Sequence, residues 1–551
     1  MNGNRVIAKI LKAEGVDWIS CFPAQGLIAS AAEEGIRPIL CRQERTGVNI
    51  ADGFSRVTNG EKIGVFTMQY GPGAENAFGG VAQAFADSVP ILLLPGGVRT
   101  SQYGVPPNFH ATDQYKGITK WSGYVNQAER IPELMKRAFT QLRNGSKGPV
   151  LLEIPMDIGE QEFPTENFKY EPVKVIKSQA DPADVKELIS AIFKAKCPLI
   201  NVGQGILYAN ATDELIEFAE LTGIPVMTTL PGKSAFPENH PLYLGPGANS
   251  ATLMVEHFRT TSDLIIGIGT SYTKSTFNAP MPVNTTLAQV TDNVNDINKG
   301  YDISLACIGD AKLVLRQMIE EFKQVFGKNK HPNAETAFNQ INKLREEFYN
   351  EWNPRLNSDE IPLSPYRVLK ELAATLDVSN TIITHDSGYP RDQFSSFWKA
   401  ENPWGYIGWG KSTQLGYGLG LAIGAKIAKP EKNVVNIMGD AAFGMAGLDI
   451  ETAVRSQIPI LTVVLNNGVM TGYTQPSPYL GYAAKKWDLH KLTGDYAKIA
   501  DGLGAFAKKV KTPEEIAPAI KEALNANKTG QPALLEMFTK EERNVPKYYN
   551  K

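Results

Sequence analysis

Residues 434–467 constrain this 551-residue chain more tightly than any other stretch. Val434-Val435-Asn436-Ile437-Met438 is an apolar run of strand length, and Ile458 to Leu465 is a second, β-rich run. Between them lie the small-residue turn Gly439-Asp440-Ala441-Ala442 and an expected helix over about 448–457. Two strands joined by one helix run parallel with a right-handed crossover, so both end at the same sheet edge. That edge carries Asp440 after the first strand and Asn466-Asn467 at the end of the second, followed by Gly468-Val469-Met470-Thr471-Gly472. A carboxylate and an amide oxygen meeting there can hold a hard divalent cation such as Mg²⁺, which prefers oxygen ligands and keeps positions open for phosphate. The same pattern also suits an ordinary βαβ unit with a polar turn at each end.

The rest of the chain repeats this grammar. Residues 1–170 alternate strand and helix signals, with turns at Pro23-Ala24-Gln25-Gly26 and Gly71-Pro72-Gly73. The helix after Gly73 carries Gly79, Gly80, Ala82, Ala84 and Ala86, a composition that lets another backbone or a partner subunit approach closely. Polar, proline-bearing sequence around 171–182, and again around 328–335 and 353–364 with a helix between them, marks linkers, giving units at 1–170, 183–345 and 360–551. Gly148 to Pro155 and Gly530 to Met537 close the first and third units in the same way, so these read as copies of one fold with a different, Rossmann-like unit between them. In the middle unit the strand Leu264–Gly269 ends in Gly-Thr-Ser, which is either a seat for a phosphate or adenine nucleotide or a plain strand-end turn. The expected class is α/β, with three doubly wound parallel sheets.

Composition narrows the function classes. Hydrophobic content of 42%, charged content of 21% and a net charge of −2 describe an ordinary globular enzyme, with no electrostatic case for nucleic acid or a membrane surface. Cys21, Cys41, Cys197 and Cys307 are scattered without a CxxC pair, so free thiols in a reducing compartment are expected, and no zinc site. No basic-then-apolar leader and no apolar run of membrane length occurs, which makes the cytoplasm the expected location.

Taken in order, several segments resemble the thiamine-diphosphate enzymes of the acetolactate synthase, oxalyl-CoA decarboxylase and 2-hydroxyacyl-CoA lyase group. They are Arg42-Gln43-Glu44, Gly71-Pro72-Gly73, Thr228-Thr229-Leu230-Pro231-Gly232-Lys233, Trp409 to Leu419, and Gly439-Asp440 with Asn466-Asn467. The resemblance spans essentially the whole chain. It implies first and third domains of thiamine-diphosphate-binding type, the first for the cofactor's pyrimidine and the third for its diphosphate and Mg²⁺. Mg²⁺ would be held by the Asp440 carboxylate, the Asn467 amide oxygen and the Val469 carbonyl. Ala441 stands where the family often has glycine, and backbone N–H groups at Ala441 and Ala442 suit the diphosphate. Gly388, Tyr389 and Pro390 would add diphosphate contacts, with Thr413, Gly439 and Met470 also facing the cofactor. Leu415 takes the place of the apolar wedge that bends the cofactor. Glu44 matches the glutamate that hydrogen-bonds the aminopyrimidine and promotes loss of the C2 proton. The family takes its glutamate domain from one subunit and its aspartate domain from another, which implies a homodimer or homotetramer with shared sites. The central domain would hold FAD, ADP or nothing.

Substrate recognition follows less directly. His110 replaces a usual glutamine in the loop Pro107 to Gln114, where it can shuttle a proton to or from a substrate oxygen. Gln25 is a further catalytic candidate, and Gln69, Tyr70, Thr471 and Tyr473 are candidate substrate contacts. Gln69-Tyr70 departs from the Thr-Ser of acetolactate synthases, and Pro476 occupies the region where those enzymes place a tryptophan. The basic, aromatic tail Arg543 to Lys551 offers Lys547 and Tyr548 to an acyl-CoA, or else frays in solvent. The implied activity makes or breaks a carbon–carbon bond beside a carbonyl of a 2-oxo acid or 2-hydroxyacyl-CoA, with an aldehyde among the small-molecule partners. Lyase-like and acetolactate-synthase-like readings both stand, with a 2-oxo acid decarboxylase such as oxalyl-CoA decarboxylase as the alternative. A non-catalytic regulatory paralogue is the reading from another class, and retention of Glu44, Asp440 and Asn467 argues against it.

Overall fold

The computed structural model describes residues 1–23, 25–327, 329–473 and 478–549. The first sheet contains β1 (Trp18–Cys21), β2 (Arg37–Leu40), β3 (Gly64–Met68), β4 (Ile91–Gly97), β5 (Trp121–Tyr124) and β6 (Val150–Pro155). The order across it is β2-β1-β3-β4-β6-β5, with every pair parallel. The middle sheet contains β7 (Pro198–Val202), β8 (Val226–Thr228), β9 (Tyr243–Pro246), β10 (Leu264–Ile268), β11 (Thr286–Thr291) and β12 (Leu305–Ile308). It runs β12-β11-β10-β7-β8-β9, the dinucleotide-fold order, with its switch point between β7 and β10. The third sheet contains β13 (Thr381–His385), β14 (Tyr406–Ile407), β15 (Asn433–Gly439), β16 (Leu461–Asn466), β17 (Phe506–Val510) and β18 (Ala533–Phe538). Its order, β14-β13-β15-β16-β18-β17, reproduces that of the first sheet strand for strand.

Parallel sheets need helices on both faces, so their central strands are apolar throughout rather than alternating. All residues of β3, β4, β10 and β13 are buried. One helix pair joins the first and third sheets: Glu44–Val57 lies along Tyr417–Ala428. Glycine makes that contact possible. A Cβ on Gly424 would lie 2.0 Å from the Ile50 carbonyl oxygen, and one on Gly53 would lie 2.3 Å from the Leu421 carbonyl oxygen. The small-residue helix Pro72–Ala86 meets its neighbours within the same chain. Gly80 abuts Val48 and Gly79 abuts Gln414.

Three local expectations are corrected. The helix after β15 begins at Asp440, not near 448: Asp440–Ala446 is helical, a tighter turn covers Gly447–Asp449, and Ile450–Arg455 completes the crossover. Asp-Ala-Ala is itself a good helix start, with an acidic residue in the first turn, and the break falls at Gly447, which is pressed against the Phe443 ring. The strand read from Ile458 starts only at Leu461, because Pro459 has no N–H for the ladder. The linker read over 353–364 is helical as far as Leu356, since Ala334–Leu356 continues through Pro354.

Candidate functional site

Numbered within each sheet, strands 2, 1, 3 and 4 lie side by side in both copies, and every candidate site residue sits at or beyond the C-terminal end of one of them. In the first copy Gln25 follows β1, Glu44 follows β2, Gln69 and Tyr70 follow β3, and His110 follows β4. In the third, Gly388-Tyr389-Pro390 follow β13, Thr413 and Leu415 follow β14, Gly439 to Ala442 end β15, and Asn467 to Tyr473 follow β16. A parallel sheet gathers its ligands at this edge.

At the third sheet the Asp440 carboxylate sits in a nest of backbone donors. Its Oδ1 accepts the Ala441 N–H (2.8 Å) and its Oδ2 the Gly468 N–H (2.9 Å). Burial raises its pKa above the usual carboxylate range, opposed by these N–H groups. The Asn467 Oδ1 accepts the Val469 N–H (3.1 Å), and its Nδ2 donates to Thr471 Oγ1 (2.7 Å). Val469 bridges to Lys491, but Met470 and Gly468 carry the two bonds of that bridge, to His490 and Leu492, so the Val469 carbonyl is not spent on it. The three strand ends touch. Pro390 lies 3.8 Å from the Cβ position of Gly439, and the Tyr389 ring lies 3.1 Å from that of Gly472. Tyr473 is exposed, and Pro476 lies outside the described residues.

Sequence reasoning missed two carboxylates that hold this edge together. Glu536 on β18 is fully buried and accepts from Asn466 Nδ2 (2.7 Å) and the Ala497 N–H (2.9 Å), fixing the residue beside Asn467. Asp386, just past β13, is also fully buried. It accepts N–H bonds from Ser387 (2.7 Å), Gly416 (3.0 Å) and Gly418 (3.0 Å). The only signal for either was a carboxylate in an otherwise apolar strand or at its end.

At the first sheet, Glu44 opens its helix with a side chain almost wholly buried, and its Oε2 accepts from Asn76 Nδ2 (3.3 Å). Gln25 accepts the Leu27 N–H (3.0 Å) through Oε1 and leaves a buried Nε2 without a partner. Gln25 and Tyr70 line a cavity of about 830 Å³ beside the first helix. The His110 Nε2 accepts the Gly104 N–H (3.0 Å) and its ring lies 4.5 Å from that of Tyr103. In the neutral ring this assigns the proton to Nδ1, which is buried and unpartnered.

The two edges adjoin within one chain. Arg45, next to Glu44, has a guanidinium nitrogen 3.2 Å from the Cβ position of Gly416. Gln414 donates to the Gly79 carbonyl (2.5 Å), and the Arg42 N–H donates to Asp449 (2.8 Å).

The middle sheet has its own cavity, about 570 Å³, at the ends of β7, β10, β11 and β12, where Gln204, Thr270, Asp292 and Asp310 face Lys411 of the third unit. The Thr228–Lys233 segment is a joint between units. Lys233, fully buried, pairs with Glu238 and donates to the Trp398 carbonyl (2.6 Å). Through Tyr549 the tail is docked rather than frayed, and Asn550 and Lys551 lie outside the described residues. Lys547 donates to Asn249 (3.1 Å), Tyr548 donates to Glu351 (2.8 Å), and the buried Tyr549 donates to the Asn249 carbonyl (3.1 Å). Among the described residues no helix is long and apolar enough to cross a membrane.

Comparison with known proteins adds an independent finding. Residues 1–119 match the N-terminal thiamine pyrophosphate-binding domain of thiamine pyrophosphate enzymes, 185–318 their central domain and 386–537 their C-terminal binding domain. The chain is 31% identical to a probable acetolactate synthase large subunit of Methanocaldococcus jannaschii, over 98% of this chain and 92% of that one. It is 30% identical to the corresponding protein of Methanococcus aeolicus, over 97% and 92%. Against the acetolactate synthase isozyme 3 large subunit of Escherichia coli the identity is 27%, over 95% and 92%.

Proposed function

The chain belongs to the thiamine-diphosphate-dependent enzyme family that includes the acetolactate synthases, and on that premise we propose an acetolactate-synthase-like carboligase acting on small 2-oxo acids. The family makes it an enzyme of carboligation or decarboxylation and makes thiamine diphosphate its cofactor. The observation that carries the finer reading is the placing of Glu44 and of Asp440 with Asn467 on equivalent ends of two copies of one sheet. A small substrate is favoured over an acyl-CoA because the tail residues offered to a nucleotide, Lys547 and Tyr548, are already engaged inside the chain.

Bound thiamine diphosphate supplies a carbon nucleophile and an electron sink, the chemistry that makes and breaks bonds beside a carbonyl. The residues present fit it. Buried Glu44 has a second oxygen for the aminopyrimidine, and at the helix start of Ala441 and Ala442, where Asp440 Oδ1 already holds the Ala441 N–H, the Ala442 N–H is assigned to the diphosphate. We assign Mg²⁺ to Asp440, Asn467 and the Val469 carbonyl, an all-oxygen set suited to a hard cation shared with phosphate. Gly388, Tyr389, Pro390, Thr413, Gly439 and Met470 line the cofactor in this reading, and Leu415 supports its bend. His110, through its free Nδ1, and Gln25, through its free Nε2, donate to substrate oxygens, with Gln69, Tyr70, Thr471 and Tyr473 around them. The central cavity is the seat for FAD or ADP, since it lies at the switch point of a dinucleotide-type sheet. Residues 1–170, 183–345 and 360–551 are taken as the pyrimidine-binding, central and diphosphate-binding domains. Exposed Phe78, Phe85, Met445 and Leu448, on the segments that follow β3 and β15, support a homodimer or homotetramer. Free cysteines support a cytoplasmic location.

The test offers pyruvate alone, pyruvate with an aldehyde, oxalyl-CoA and a 2-hydroxyacyl-CoA in parallel, with products read by mass spectrometry. Acetolactate as the product supports the proposal. Turnover of a CoA thioester alone overturns it, and absence of any turnover with cofactor bound favours a regulatory paralogue. Glu44→Ala should abolish exchange of the cofactor C2 proton while leaving Mg²⁺-dependent binding largely intact. Unchanged exchange would remove Glu44 from its role.

A further inference from the structure

Asp386 spends a fully buried carboxylate on backbone alone. Its Oδ1 accepts from Ser387 and Gly416, its Oδ2 accepts from Gly418, and its own N–H donates to the Ile437 carbonyl (2.9 Å) on the neighbouring strand. A serine or asparagine would cap the helix Tyr417–Ala428 with far less desolvation. A carboxylate does what neither can: its Oδ1 joins two separate segments while its Oδ2 caps the helix start at Gly418, all three on charge-assisted bonds. One is the turn Ser387-Gly388-Tyr389-Pro390. The other is the loop that ends in Leu415 and Gly416, which Ser387 Oγ also grips through the Thr413 carbonyl (3.1 Å). Gly416 takes the left-handed conformation (φ 84°) at this junction, so the Leu415 backbone enters the helix at one fixed angle. Arg45 of the first unit lies close enough to favour the ionised form, while burial pushes the carboxyl up to about 6.

We propose that Asp386 is a positioning residue for the cofactor: its two oxygens set the separation between the Leu415 side chain and the Gly388–Pro390 turn, and with it the bend the cofactor adopts. This rests on the reading that Leu415 and Gly388–Pro390 face the cofactor.

Asp386→Asn keeps one acceptor and turns an amide donor toward either Gly418 or the Ser387–Gly416 pair, so the junction loses its helix cap or its bridge, and with it its fixed geometry, while the fold persists. Its control is Thr222→Val, which removes a buried hydroxyl's bond to the Phe218 carbonyl (2.8 Å) in the middle unit. Both are measured without cofactor for melting temperature, then titrated with thiamine diphosphate and Mg²⁺ by tryptophan fluorescence, with the near-ultraviolet dichroism of the bound cofactor recorded. Asp386→Asn should weaken binding by roughly tenfold or more and change the dichroism, and kcat at saturating cofactor should fall more than KM for the 2-oxo acid rises. The control should bind like the parent even if it melts as early. Weakening of about threefold or less beyond the control overturns the proposal. If Asp386→Asn does not fold, Asp386→Glu, which keeps the charge and shifts its reach, is judged by the same criterion. Failure of both to fold makes the role structural and also overturns it. Leu415→Ala separates the two readings: unchanged binding and dichroism there would remove Leu415 from the cofactor, whatever Asp386 does.

Discussion

His385 and Asp386 are adjacent, buried and titrate in opposite senses. Burial holds the His385 imidazole down at about 3, with Nε2 unpartnered and Gly408 against the ring. The unfolded chain therefore takes that proton first, and the histidine's contribution to stability is full above its ordinary value near 6.5 and drains away as pH falls. Asp386, raised by burial to about 6, behaves the other way: its contribution is full below about 3.8 and is lost as pH rises through 6. Between these limits the two slopes oppose each other. His385→Gln should leave the Asp386 slope unmasked, so its stability deficit against the parent should narrow from pH 7 to pH 4.5 in urea unfolding. A deficit that is constant across that range would contradict the assignment. The residue scale is also where the sequence was most uneven. The placing of Asp440 and Asn467 at one sheet edge was legible because it follows from local strand–turn–helix grammar. Asp386 was not, because its partners Gly416 and Gly418 come from beyond another strand.

Among elements, the pair Glu44–Val57 and Tyr417–Ala428 depends on backbones in contact. Gly424→Ala would place a methyl 2.0 Å from a carbonyl oxygen and should cost about 1–3 kcal/mol, read from the denaturant midpoint. Gly444→Ala, in a helix with nothing within 4 Å of its Cβ position, should be neutral or stabilising by up to about 1 kcal/mol. Equal losses at both would mean that glycine content, rather than contact, matters. The strands were readable as apolar runs because both sheet faces are covered. Helix starts were less so: the helix at Asp440 was hidden because Gly439-Asp440-Ala441-Ala442 reads equally well as a turn, and only the backbone of Asp440–Ala446 decides between them.

For the whole molecule, the repeat of one sheet was visible in sequence as two matching closing segments, and the structure extends it to the full strand order. What sequence could not give was which copies of the chain contribute to one site, since that depends on surfaces meeting in space. The Glu44 helix meets the Gly416 turn inside one chain, whereas the resemblance implies sharing between two. Mixing Glu44→Ala with Asp440→Ala chains after joint refolding decides the matter. Sites shared between subunits should recover activity in the mixture, because mixed dimers keep one intact site. No recovery, with mixed dimers demonstrated by mass, would locate each site within one chain.

The matching strand order of the first and third sheets has a kinetic meaning. Two separate one-sheet proteins would have to find each other before their strand ends could face a common ligand. Carried on one polypeptide and joined through the middle sheet, the halves meet at an effective concentration of the order of millimolar. A site built within one chain would thus assemble however dilute the protein, whereas a site shared between two chains would not.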